Sequence, residues 1–139
     1  MREIKFRCWS KERKGIGIVT KICFLTNECD YALGKKKGDT DFGWTSLDNV
    51  ILMQYTGLKD KNGNEIYEGD ILKYREYDNL SHKQDFSIDK VEWGETGDSD
   101  GWAHERHFEY IVGGDSLADV YGKYCEIIGN IYENPEMIK

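Results

Sequence analysis

Two histidines three residues apart, His104 and His107 in the run His-Glu-Arg-His, are the cluster with the most chemical promise. On a helix this spacing sets both imidazoles on one face, where they can share a metal ion. On a strand it sends them to opposite faces. The flanking Trp102-Ala103 and Phe108-Glu109-Tyr110-Ile111-Val112 favour a strand, so both histidines are expected at the surface rather than on a metal. Asp98-Ser99-Asp100-Gly101 begins like a calcium loop, but the later oxygens and the closing Glu are missing, and an acidic turn is expected. Cys8, Cys23, Cys29 and Cys125 contain no C-x-x-C pair of a zinc or redox site. No Gly-x-Ser-x-Gly, P-loop or dinucleotide fingerprint occurs. A Cys–His nucleophile pair meets only in space and has no signature in spacing. Lys35-Lys36-Lys37 has the charge to touch a phosphate but reads as a solvated loop tip. No catalytic residue, metal or cofactor is expected.

The elements that would position these residues are short and turn-rich. The 139 residues fit one domain, or one domain with a small subdomain. Aromatics make up 13%, which separates the chain from disordered sequences, and 15 Gly against one Pro suits a small β protein. The net charge of −7 is uneven. Residues 1–40 hold ten Lys/Arg and five Asp/Glu; residues 41–139 hold nine and 21. Opposite halves can attract within a chain or between copies, while the acidic total argues against duplex nucleic acid. No apolar run approaches a membrane span of ~20 residues, and the N-terminus lacks the apolar segment of a secretory signal. A cytoplasmic protein with reduced thiols is expected.

Residues 3–9 alternate with the period of a half-buried strand, Ile4, Phe6 and Cys8 on one side. Residues 16–25 read as its hairpin partner. Residues 26–44 read as a long loop with a short strand at 31–33. Val50 to Met53 is apolar on both faces and predicts a doubly covered strand, broken by Thr56-Gly57. Asp60-Lys61-Asn62-Gly63 is a strong turn signal, and Gly69-Asp70 a second bend. Strands follow at 71–77, 90–93 and 107–112. Gly113-Gly114 ends the last of these, and 115–121 reads as one helical turn. Residues 124–132 alternate again, with a bulge or bend at Gly129-Asn130, and stop at Asn134-Pro135. The sum predicts a mainly β fold of about seven short strands.

Three stretches together resemble the YopX family of phage and prophage proteins. They are Arg2-Glu-Ile-Lys-Phe-Arg-Cys-Trp9, Met53 to Leu72 around Tyr-Thr-Gly-Leu-Lys-Asp-Lys-Asn-Gly-Asn-Glu-Ile-Tyr-Glu-Gly-Asp, and Ile127-Ile-Gly-Asn-Ile-Tyr-Glu-Asn-Pro-Glu136. The resemblance implies an SH3-like small β-barrel for residues 49–139, preceded by an N-terminal β-hairpin and loop segment at 1–48. It also implies a phage or prophage origin in a bacterial host, and it brings no catalytic residue with it. The motif positions Tyr55, Gly57, Asn62, Gly63, Tyr67, Gly69, Asp70, Gly129, Tyr132 and Pro135 are expected to be structural. Glycines and Asn62 serve turns, the tyrosines close a small barrel, and Asp70 accepts from turn amides.

A non-enzymatic binding or assembly module, acting through a protein partner or self-association, is the expected function. A single-stranded nucleic-acid binder is the alternative, with Arg2, Lys5, Arg7 and Lys35 to Lys37 supplying charge and Trp9 or Trp44 stacking. A metal enzyme on His104 and His107 is the least favoured. A working surface is expected in the loops around 34–44 and 94–107.

Overall fold

Alternation in β1 (Phe6–Ser10) buries Cys8 and Ser10 and leaves Arg7 and Trp9 half-exposed, as a one-sided strand must. The computed structural model describes residues 3–33, 41–75, 86–96, 107–120 and 124–138. These fall into two units, Met1–Tyr55 and Thr56–Lys139.

In the first unit β1 pairs antiparallel with β2 (Gly15–Cys23) and β5 (Val50–Lys59). The sheet continues outward through β3 (Glu28–Leu33) to β4 (Asp41–Ser46) at its edge. Side chains set the turns. Ser10 Oγ accepts from Arg13 N at 3.1 Å, and Lys14 takes a φ of 54° to close the first hairpin. Asn27, at φ 58°, closes the second, as Asn tolerates better than most residues. The core is Cys8, Cys29, Tyr31 and Val50, with Val19, Ile22, Leu33, Leu47 and Leu52 around it. The Tyr31 ring lies on Gly43, where a Cβ would come within 2.6 Å of Tyr31 Cζ.

In the second unit the end of β5 leads through a turn to β6 (Glu65–Tyr67), which completes a six-stranded sheet of order β4-β3-β2-β1-β5-β6. β7 (Asp70–Tyr74), β8 (Ser87–Thr96), β9 (His107–Val112) and β10 (Asp115–Ser116) then run antiparallel. After the four-residue helix α1 (Leu117–Val120), β11 (Cys125–Asn130) returns beside β7, giving the order β10-β9-β8-β7-β11. Ile66, Leu72, Tyr74, Val91, Tyr110, Val112, Leu117 and Cys125 form the core.

The chain is therefore mainly β, in two antiparallel sheets of six and five strands. Neither sheet closes into a barrel among the described residues, so the expected SH3-like barrel is met only at the level of a mainly β fold. Several boundaries differ from the sequence reading. The segment 26–44, read as a long loop with a short strand at 31–33, contains the whole of β3 and most of β4: β3 pairs with β2 across the tight turn at Asn27, and β4 pairs in turn with β3. Thr56-Gly57 does not break β5: Thr56 Oγ1 donates to Ile66 O at 2.7 Å and accepts from Leu58 N, so the strand passes through Gly57 at φ 86°. β2 stops at Cys23, β7 at Tyr74, and β8 spans 87–96 rather than 90–93. β11 ends at Asn130, not Tyr132, because Asn130 Oδ1 captures the amides of Tyr132 and Glu133.

Candidate functional site

The turn after β5 is built on Asp60. Its side chain is 5% exposed, and Oδ1 accepts from Asn62 N and Asn64 N, both at 2.9 Å. Oδ2 reaches across to Ile127 N on β11 at 3.0 Å, and Lys61 N donates to Cys125 O at 3.0 Å. One carboxylate thus ties the turn to the last strand of the same unit. Charge-assisted hydrogen bonds of this kind are among the strong ones. Gly63, at φ 79°, completes the turn.

That turn delivers Lys61 to the rim of a cleft of about 210 Å³. Lys73 and Arg75 at the end of β7, Phe86 before β8, and Tyr124, Cys125 and Glu126 at the start of β11 supply the rest. Lys73 Nζ rests 4.7 Å over the Phe86 ring centroid, a cation–π distance. Glu126 Oε2 pairs with Lys61 Nζ at 3.3 Å. The backbone bond from Arg75 N to Tyr124 O, at 3.1 Å, fixes the two walls together.

The first unit carries a second cleft, of about 290 Å³, lined by Lys21, Cys23, Thr26, Glu28, Cys29, Asp30 and Trp44. Trp44 is 68% exposed and held by its indole N–H donating to Glu28 Oε2 at 2.8 Å. Phe24 (80% exposed) and Leu25 (95% exposed) stand on the turn between the lining residues Cys23 and Thr26. The Cys23 thiol is pushed below its usual pKa by hydrogen bonds from the Thr26 side chain and backbone, with smaller help from Leu25 N and Lys21. Burial pushes the Cys29 thiol up, with Asp30 adding to it, and burial beside Cys29 raises Cys8 to about 11. All four cysteines are free thiols.

The motif residues sit in turns, at strand ends and, for Tyr55 and Gly57, inside β5. Tyr55 is buried; Tyr67 and Tyr132 are half-buried. Asn62 and Gly57 are exposed, and Gly69 has φ 85°. Asp70, 2% exposed, accepts from Tyr67 N at 2.8 Å. Gly129 lies at the β11 bulge, under the Asn134 side chain, and Pro135 starts a 3-10 turn. Of the residues named for nucleic-acid contact, Trp9 lies on β1 and Trp44 on β4, three strands or roughly 14 Å away. Lys5 pairs with Glu3 at 3.0 Å, and Arg7 is half-buried. Arg2, Lys35 to Lys37, His104 and the 98–101 turn lie outside the described residues, as does the His107 side chain. No group of three or more His, Cys, Asp or Glu gathers as a metal set among the described residues. No helix among them is long and apolar enough to cross a membrane. The sequence reading placed Asp60 in a turn but did not anticipate its tie to β11 or the cleft beside it. Lys73 and Arg75, two apart at a strand end and so on one face, were the available signal.

The strand path and the turns held by buried side chains define a small, two-sheet, mainly β protein. The chain belongs to the YopX family, whose model, described as YopX protein, matches residues 5–139. The crystal structure of protein EF1440 from Enterococcus faecalis is similar to it, with 26% identity, a TM-score of 0.59 and all of both chains covered. No curated protein matches the chain.

Proposed function

We propose that this YopX family protein is a non-enzymatic binding and assembly module that works through protein contacts, with a second copy of the chain as its first partner. The observation that carries this is the exposure of Phe24, Leu25 and Trp44 around one cleft of the first unit. Large apolar side chains grouped at a surface are the usual mark of an interaction site. β4, which carries Trp44, is the edge strand of its sheet, and such an edge can accept a further strand. Charge favours pairing between copies: Met1–Tyr55 holds ten Lys/Arg and seven Asp/Glu, Thr56–Lys139 nine and 19. On this reading the protein acts in the bacterial cytoplasm and is of phage or prophage origin, as the family likeness suggests. We further read the second unit as SH3-like, because β7 to β10 run as a meander and β11 returns beside β7 after a helical turn.

Sedimentation velocity over a range of concentrations tests the assembly. The expected result is a reversible oligomer that Leu25→Asp converts to monomer without loss of fold. A wild-type monomer at every concentration would sink it.

A further inference from the structure

The cleft between Lys61, Lys73, Arg75, Phe86, Tyr124 and Glu126 has a charge that runs against its surroundings. The second unit carries nine Lys/Arg against 19 Asp/Glu, yet three of the nine cations line this one cleft, beside a single carboxylate among the described residues. That carboxylate, Glu126, is engaged by Lys61 at 3.3 Å. Lys73 forms no ion pair among the described residues; its ammonium sits over Phe86 instead. Clustered like charges repel, and a fold that gathers them is stabilised when an anion occupies the space between them. The Phe86 ring is 47% exposed, which leaves apolar ring surface at the mouth for a second flat group. Backbone bonds from Lys61 to Cys125 and from Arg75 to Tyr124 hold the walls, so the site is in place before a ligand arrives.

We propose that this cleft binds a nucleotide, its phosphate between Lys73, Lys61 and Arg75 and its base against Phe86. The volume, about 210 Å³, falls below the ~300–1,000 Å³ of pockets that enclose drug-sized ligands. It suits one phosphate and one ring, with the sugar at the mouth. The same chemistry is offered by a free mononucleotide and by a terminal nucleotide of a single strand. The site shares no lining residue with the cleft beside Phe24 and Trp44 and stands or falls independently of self-association.

Calorimetric titration of the full chain with inorganic phosphate, adenosine 5′-monophosphate and a short 5′-phosphorylated single-stranded DNA tests this. Binding of the mononucleotide, tighter than that of phosphate and weakened by added salt, is expected. Lys73→Glu and Phe86→Ala, both at exposed positions, should each weaken it by about tenfold or more. Lys90→Glu, a β8 cation that is not part of the cleft lining, should change it less than about twofold. A strand binding more tightly than the mononucleotide assigns the site to strand ends; equal or weaker binding assigns it to the free nucleotide. Phosphate binding as tightly as the mononucleotide, no binding at low salt, or unchanged binding by both cleft variants would each overturn the proposal.

Discussion

Met1–Tyr55 buries Cys8, Cys29, Tyr31, Val50, Met53 and Tyr55, and the buried polar residues among those described there are Ser10 and Thr45. Thr56–Lys139 buries Ile66, Leu72, Tyr74, Val91, Tyr110, Val112, Leu117 and Cys125, with the carboxylates of Asp60 and Asp70 and the amide of Asn130 beneath its turns. Around Cys8, Cys29 and Val50 the first unit packs one large ring, Tyr31, against thiols and aliphatic side chains, so the sensitivity of that cluster lies in close packing and thiol ionisation. The second is filled by aliphatic and aromatic residues, and its turns at 60–64 and 67–70 are tied by buried charge-assisted bonds. Two antiparallel β units of one chain should therefore fail in different ways, and substitutions can separate them.

The largest expected effect tests the tie in the second unit. Asp60→Ala removes the acceptor of three backbone N–H groups, from Asn62, Asn64 and Ile127, at a site 5% exposed. A hydrogen bond to a charged group contributes about 1.5–3 kcal/mol, and buried donors left alone add to the loss. A drop of about 3 kcal/mol or more in urea unfolding is expected. A drop below about 1 kcal/mol would mean that the turn and β11 hold without it, and the contrast between the units would dissolve.

The next effect belongs to the first unit and appears only at high pH. The Cys8 thiol, ordinarily near 9.0, is raised to about 11 by burial and by Cys29. Below pH 9 it is protonated in both folded and unfolded chains and nothing is lost. Between 9 and 11 the unfolded thiol ionises while the buried one keeps its proton, so stability falls, by about 2–3 kcal/mol once pH passes 11. Unfolding midpoints of wild type and Cys8→Ala from pH 8 to beyond 11 isolate this component. The variant should be less stable at pH 8 and lose less on the way up; parallel profiles would remove thiol ionisation from the account.

Two glycines give a smaller pair of effects. Gly43→Ala forces a Cβ to within 2.6–2.9 Å of three Tyr31 ring and hydroxyl atoms, and overpacking of this kind costs about 1–3 kcal/mol. Gly63→Ala meets nothing within 4 Å, so only its φ of 79° opposes a side chain, at about 1 kcal/mol. The first should therefore exceed the second, read by thermal or urea unfolding. The reverse order would place backbone strain above packing as the limit on this chain.

The same contrast governs what could be read from sequence. Period-two alternation announced β1 and β11, and the Asp60–Gly63 and Gly113-Gly114 turns stood out by residue type. Only residues 31–33 of β3 were read as strand and β4 was missed, because Glu28, Asp30 and Asp41 look like loop residues, and only the pairing of β3 with β2 and of β4 with β3 makes them strands. The break placed at Thr56-Gly57 failed for a related reason: the Thr56 hydroxyl bonds a carbonyl ten residues on, a long-range fact with no local sign. The basic cleft draws on residues from 61 to 126, so no window of sequence contains it. What local chemistry decides was legible; what the meeting of distant strands decides was not.

The last expected effect changes stability hardly at all and separates the thiols of the first unit by reactivity. Cys23 is half-buried in an open cleft and its pKa is lowered, first by the Thr26 hydroxyl and then by the Thr26 backbone. Cys8 and Cys29 share a sheet with it but are 0% and 1% exposed, with raised pKa values. Cys125, in the other unit, is 2% exposed. The thiolate is the nucleophile, so reaction rate follows both access and ionised fraction. Iodoacetamide at pH 8 should modify one cysteine of the folded protein, Cys23, as located by peptide mass mapping, and all four in urea. Thr26→Val removes the hydroxyl at an exposed position and should slow that single reaction while leaving the unfolding free energy within about 0.5 kcal/mol of wild type. If Cys8 or Cys29 reacts at a comparable rate, the packed interior assigned to the first unit opens on the timescale of labelling, and its thiols cannot act as core residues. If Cys23 alone reacts but Thr26→Val has no effect, access decides and the hydrogen bond does not, which keeps the core and discards the activated thiol.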